Sequence, residues 1–275
     1  MTLDNEFKKK YSNTNKLIQS PYDKRDYKFK NIIAAAFNLP DNYESPQTPF
    51  VFDQGTSSMC CACAYNTIRF LQENDTSTGG SGINIPFSPA FTYANRDEGQ
   101  DYEGMIIRDC CAKGIDGSLP YNKFPGFMSY TDAKKVFDQN KDEFLKEAAP
   151  FKIDSYYTCG SRNEVRTAII TTKAVLIGIP VYDCLYDPDA NGYIHYDPHV
   201  YIDSDGGHAV ILVGWKIDEN GKLWWIMQNS WGRQYGNKGR VYLPEDYPWM
   251  DNAYVLVDNV KNINWEEYKQ KYMTV

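Results

Sequence analysis

Residues 53–73 read Asp-Gln-Gly-Thr-Ser-Ser-Met-Cys-Cys-Ala-Cys-Ala-Tyr-Asn-Thr-Ile-Arg-Phe-Leu-Gln-Glu. From Cys60 onward, Ala62, Ala64, Tyr65, Ile68, Phe70 and Leu71 favour one face at helical spacing. Ser57 or Ser58 stands where a helix N-cap is expected. Cys60 therefore opens a helix, where free backbone N–H groups and the helix dipole favour a thiolate. A buried free cysteine is ordinarily a small hydrophobe, so the interest of Cys60 depends on what stands downstream. His208 follows Gly206-Gly207 and opens an apolar strand, and Asn229 ends the next strand, in a hairpin turned at Asn220-Gly221. Neighbouring strands lie about 4.8 Å apart, so Asn229 reaches His208 if the register allows. Taken singly, Gln54 and Asn229 are loop and turn residues, and Trp231 is core packing.

Outward from this stretch, the organisation is uneven. Residues 1–46 are polar and Lys/Asn/Tyr-rich, without sustained periodicity, and Pro21, Pro40 and Pro46 punctuate them. They read as an extension or strap over a core made elsewhere. Short helices are expected at Ser88–Arg96 and Gly104–Lys113, the latter closed by Gly114, and another within Thr131–Ala149. Strands are expected at Phe151–Tyr157, Ala174–Tyr182, His208–Ile217, Leu223–Asn229, Gly239–Leu243 and Ala253–Val257. A mostly helical front half (about 54–140) followed by a strand-rich back half (about 141–262) is an α+β arrangement of two lobes.

The 275 residues carry 36 acidic against 29 basic side chains, a net charge of −7. That disfavours a nucleic-acid partner, which needs clustered positive charge. Aromatic residues make up 15%, with 22 Tyr and 6 Trp, which favours β structure. Seven cysteines is an odd number, and the adjacent pairs Cys60-Cys61 and Cys110-Cys111 do not resemble a secreted disulfide framework. With only His195, His199 and His208, a structural zinc site is not expected. The N-terminus lacks the apolar run of a signal peptide, and the apolar stretches are too short to span a bilayer. The expectation is a monomer made in the cytoplasm, with no metal, cofactor, nucleic-acid or membrane partner.

Three segments carry a resemblance. Asp53-Gln54-Gly55-Thr56-Ser57-Ser58-Met59-Cys60-Cys61-Ala62 resembles the active-site segment of papain-like cysteine peptidases. Gly207-His208-Ala209-Val210 resembles their histidine segment, and Gln228-Asn229-Ser230-Trp231-Gly232 matches their asparagine segment. His208 follows Cys60 by 148 residues (208 − 60) and precedes Asn229 by 21, in keeping with the spacing known for such enzymes. Asp101 to Gly104, Ile107-Arg108-Asp109, Gly239 to Pro244 and the Ser20 to Tyr27 lead-in are similar to the bacterial, archaeal and phage branch.

The resemblance implies a two-lobed α+β fold over residues 47–275, with the active site between a helical and a β-rich lobe. It implies hydrolysis of peptide or protein substrates by a Cys60 thiolate paired with His208. Asn229 would orient the imidazole, and Gln54 with the Cys60 amide would hold the oxyanion. Trp231 would shield the His–Asn bond, and Met59, Gly104, Gly207 and Trp231 would line the substrate site. Residues 1–46 would be a permanent strap, the reading slightly favoured, or a short inhibitory segment. Three departures stand out: Ser57 replaces a common half-cystine, Met59 replaces a small residue, and Cys61 replaces an aromatic one. Two other readings use the same residues, a thiol-dependent transpeptidase or cell-wall peptide hydrolase, and a silent binding protein.

Overall fold

The computed structural model describes residues 3–21, 23, 26–29, 38–75, 80, 82, 84–97 and 102–258. In chain order the elements begin with α1 (Leu3–Tyr11), β1 (Leu17–Ile18), β2 (Asn42–Glu44), α2 (Cys60–Glu73), α3 (Pro89–Ala94), β3 (Met105–Ile106), α4 (Ile107–Ala112) and α5 (Tyr130–Ala148). There follow β4 (Ser155–Cys159), α6 (Arg162–Thr172), β5 (Val175–Pro180), β6 (Gly207–Ile217), β7 (Leu223–Gln228), β8 (Arg240–Pro244) and β9 (Ala253–Val257). This is the expected α+β architecture with helices in the front half and a sheet in the back half. Among the described residues no helix is long and apolar enough to cross a membrane.

The sheet runs β4-β9-β5-β6-β7-β8, with β2 added to β6. Side chains alternate along β6, and each face of the sheet buries its own set. Ala209, Ile211 and Val213 pack with α2 and the helical lobe, while Val210 and Leu212 join a second core against α6. Every residue of α2 is buried, the signature of a helix enclosed on all sides. Most of its polar side-chain atoms are accordingly satisfied from within, although Asn66 Oδ1 and Arg69 Nε are buried without a hydrogen-bond partner among the described residues. Asn66 donates to Ala62 and Thr92, Gln72 donates to the Leu256 carbonyl, and Arg69 pairs with Glu73 and Asp258, both at 2.7 Å.

Several elements differ from expectation. The N-cap of α2 is Met59, with no side-chain cap. Ser57 instead donates to the Gln54 carbonyl, folding the preceding loop on itself and leaving the first helical amides free. Gly104 does not open a helix: Met105 and Ile106 are drawn into parallel pairing with Leu17 and Ile18. The chain then passes Gly114 in a tight turn and reverses at Gly117, whose φ of 101° suits glycine. β4 begins at Ser155, four residues later than expected, because antiparallel pairing with β9 sets its register.

Two helices were not anticipated. α1 lies in the segment read as lacking one, and its Phe7–Tyr11 ring pair at 5.1 Å is the helical i,i+4 contact. α6 interrupts the strand-rich half, and Ser161, capping the Glu164 amide, is its legible start signal. Residues 22, 24–25 and 30–37 of the extension lie outside the described residues.

Arg69 is wholly buried between two carboxylates, so truncating it strands both. Arg69→Ala is expected to lower the free energy of unfolding by about 3 kcal/mol or more, read as a shift in urea midpoint; a shift within error would contradict the inter-element tie assigned to it.

Candidate active site

The sulfur of Cys60 sits at the uncapped start of α2. Its own amide, the Cys61 amide and, from across the lobes, the Ala209 amide all point hydrogen-bond donors at it. Ala209 is the residue after His208, so the contact fixes the thiol beside the first turn of β6. This is the meeting that the three motifs required, and it arises because α2 packs directly on β6.

His208 and Asn229 meet through a register shift. From Ile217↔Leu223 to Gly214↔Ile226 the β6–β7 hairpin pairs regularly, and a bulge between Leu212 and Gly214 then moves the register by one residue. Continued past Ile211↔Gln228, it sets Asn229 opposite Val210, on the strand face shared with His208. Without the bulge Asn229 would oppose Ile211 and share the other face. The result is a 2.7 Å hydrogen bond between His208 Nε2 and Asn229 Oδ1.

That bond settles the tautomer. Asn229 Oδ1 also accepts the Ser230 amide at 2.7 Å, so it is an acceptor and His208 Nε2 must donate. In the neutral imidazole the lone pair then belongs to Nδ1, which has no hydrogen-bond partner among the described residues. An oriented base nitrogen that is not spent on another partner, on the residue before the one whose amide meets the thiol, is suited to nucleophile activation. The ring lies against Trp231, with centroids 5.0 Å apart and planes at 23°. Trp231 is itself wholly buried and stacked by Tyr186 on one side and Tyr11 on another.

Gln54 is also fully buried. Its Oε1 accepts from Ser230 Oγ at 2.6 Å, and its Nε2 donates to the Ser57 carbonyl at 3.0 Å. With the oxygen pinned, the amide group is oriented and retains a second N–H. Met59 is buried at the head of α2. Gly104 gives its amide to no ligand: the N–H donates to Tyr93 Oη at 2.9 Å and the carbonyl accepts from Arg96.

The N-terminal segment supplies the residues that motif reading missed. Lys16 bridges Gly207, and Leu17 pairs with Met105, so residues 16–18 run between β6 of one lobe and β3 of the other. Tyr11 donates to Asp53 at 2.8 Å and Lys10 pairs with the same carboxylate. Cys60 and His208 are consequently 0% exposed. Burial pushes the thiol up to about 12, aided by the neighbouring Cys61 thiol and opposed by the backbone amides. Burial likewise pulls the imidazole down to about 4, with the Asn229 bond opposing. Under this cover both groups rest neutral. All seven cysteines are free and buried.

His208 binds fewer protons folded than unfolded between its ordinary pKa and about 4. Its contribution to stability is therefore full above about 6.5 and is lost as pH falls toward 4, on the order of 3 kcal/mol. Urea titrations of the parent chain and His208→Gln at pH 7 and 4.5 are expected to show the parent losing more stability on acidification. Equal losses would contradict a buried neutral imidazole.

The sequence and the fold have counterparts elsewhere. A family model described as papain family cysteine protease matches residues 90–264, which include His208 and Asn229 and stop short of Cys60. A cathepsin B-like cysteine proteinase of Caenorhabditis elegans is 28% identical over 134 residues, 46% of this chain and 35% of that protein. A cysteine proteinase of Solanum lycopersicum is 28% identical over 228 residues, 78% of this chain and 58% of that protein. The chain thus spans about a third to three-fifths of these relatives' length. Xylellain, a cysteine protease from Xylella fastidiosa, superposes with a TM-score of 0.71 at 21% identity, covering 90% of this chain and 97% of that one.

Proposed function

The chain belongs to the papain family of cysteine proteases, and from that footing we propose that it is a cysteine endopeptidase acting through Cys60 and His208. The observation that carries this reading is the 2.7 Å His208–Asn229 bond, which leaves Nδ1 as the free base on the residue before Ala209, whose amide meets the Cys60 sulfur. In the open cleft Cys60 gives its proton to Nδ1, and the thiolate attacks the peptide carbonyl carbon. The oxyanion takes the second N–H of Gln54 and the Cys60 amide. His208 returns the proton to the departing amine as the C–N bond breaks, leaving a thioester. Water then gives a proton to His208 and its hydroxide to the acyl carbon, and the thiol is regenerated. Trp231 keeps water off the orienting hydrogen bond throughout.

The substrate is a peptide or protein, and the branch is the bacterial, archaeal and phage one, a reading supported by the Ile107-Arg108-Asp109 and Gly239 to Pro244 segments. Residues 1–46 act as a cover as well as a strap. Support comes from residues 15–18, which touch both lobes while burying the thiol and the imidazole. Because burial holds both groups neutral, the covered form is latent, and displacement of the segment readmits water and lets the ion pair form.

Cys60→Ala is expected to abolish peptide turnover and labelling by a thiol-reactive peptide; retained turnover would overturn the assignment of the nucleophile. Removal of residues 1–20 is expected to raise the rate of Cys60 labelling at least about tenfold, the factor that exposing a site held closed by 1.4 kcal/mol would give. An unchanged or lower labelling rate would show the segment to be a strap alone.

A further inference from the structure

Cys60, Cys61 and Cys63 share the first turn of α2, and the peptidase chemistry uses only the first of them. Cys60-Cys61-Ala62-Cys63 sets two of these thiols at Cys-x-x-Cys spacing. The leading one sits at the helix start with backbone amides aimed at its sulfur, and the second is wholly buried one turn further in. In such a pair the cysteine at the helix N-terminus is the reactive one.

Helix geometry decides which neighbour reaches Cys60. A rise of 1.5 Å per residue and 3.6 residues per turn put Cα atoms three apart at about 5 Å, inside the roughly 4.4–6.8 Å that a disulfide spans. Residues three apart lie on one face of a helix, whereas adjacent ones do not face each other. A helical side chain also leans toward the N-terminus, which carries the Cys63 sulfur back over the turn that begins at Cys60. Cys63 stands within electrostatic reach of Cys60 and of Asp53 in the loop before the helix, although burial is the main cause that raises its thiol. Met59, the N-cap, makes no side-chain cap bond, so the first turn is free to tighten as two sulfurs close.

Cys61 is committed elsewhere. Cys110 Sγ donates to its carbonyl at 3.9 Å, and the Cys61 and Cys110 thiols hydrogen-bond to each other. That ties Cys61 to α4 and leaves Cys63 as the thiol available to the nucleophile.

We propose that Cys60 and Cys63 form a redox-active dithiol, a modification site whose oxidant is a hydroperoxide and whose product is a Cys60–Cys63 disulfide. The dithiol shares its leading sulfur with the peptidase reading above and adds a second chemistry to it. With the N-terminal segment withdrawn, the Cys60 thiolate attacks the peroxide. An S–O bond forms, the O–O bond breaks, and the departing hydroxide takes the proton held by His208 and leaves as water. Cys63 then forms the S–S bond as the S–O bond of the sulfenic acid breaks, and its thiol proton departs with the hydroxyl group as a second water. The two sulfurs lose two electrons and the peroxide gains them. A dithiol reductant returns them by exchange and restores both thiols. The disulfide thus holds the nucleophile in a recoverable form, where an unresolved sulfenic acid goes on to the sulfinic acid that thiols do not reduce.

The test uses the full-length chain and its Cys63→Ala and Cys110→Ala variants. Each is treated with hydrogen peroxide until labelling of Cys60 by a thiol-reactive peptide is lost, and is then given dithiothreitol. The parent and Cys110→Ala are expected to lose the mass of two hydrogens, within a single peptide in which Cys61 still alkylates. After dithiothreitol they are expected to show at least about tenfold more Cys60 labelling than Cys63→Ala, whose Cys60 gains the mass of two oxygens. The mapping in the parent decides the pairing whether or not Cys63→Ala folds. A disulfide mapped between Cys61 and Cys110, a parent Cys60 carried straight to the sulfinic acid or untouched by peroxide, or equal recovery of a folded Cys63→Ala would overturn the dithiol and leave the peptidase intact. Peptide turnover retained by Cys60→Ala, beside a mapped Cys60–Cys63 disulfide in the parent, would instead remove the peptidase reading and leave the dithiol.

Discussion

α2 is buried at every position from Cys60 to Glu73, and much of the remaining arrangement answers to that. A helix carrying Asn66, Arg69, Gln72 and Glu73 is enclosed at tolerable cost only where most of its polar groups find partners, since a stranded one costs about 1–3 kcal/mol or more. The partners come from different elements: Thr92 of α3, the Leu256 carbonyl of β9, and Asp258 just beyond it. The same packing drives the helix start against β6. The placement of Cys60 is thus a by-product of core formation, set beside Ala209 because α2 packs on β6.

Electrostatics in the covered cleft run against the chemistry. A thiolate and an imidazolium attract each other, but neither is favoured where water is excluded and no further charge compensates. The backbone donors around the sulfur and the Asn229 bond to the ring act in the productive direction, yet burial outweighs them. The aromatic stack of Tyr11, Trp231 and Tyr186 continues the cover from the N-terminal helix onto the β lobe. Exclusion of water, to which the N-terminal segment contributes, therefore holds Cys60 and His208 neutral while the His208–Asn229 bond is already in place.

Legibility in the sequence varied with the range of the forces involved. The sequence reading of strand β9 matches its observed bounds, and those of β6 and β7 lie within a residue, because short unbroken apolar runs bounded by turn residues mark strands buried on both faces. α1 was missed because its stability comes from docking Phe7 and Tyr11 onto Trp231 and Tyr235, contacts invisible in a polar, lysine-rich stretch. The capping at Ser57 or Ser58 failed for a related reason: Ser57 is spent on the Gln54 carbonyl. The short strand at Met105 exists only because Leu17 comes to lie beside it.

The sequence by itself determined which groups are chemically equipped: a cysteine at a helix start, a histidine at a strand start and an asparagine after a hairpin. Those are statements about residue type and local period, which a linear chain carries in full. Tertiary structure alone decided that Asn229 shares a face with His208, through one bulged residue between Leu212 and Gly214. It alone decided that Nδ1 is the free nitrogen, through the Ser230 amide, and that residues 15–18 cover the result. Each of these depends on register or on contact between distant segments, which no local pattern encodes.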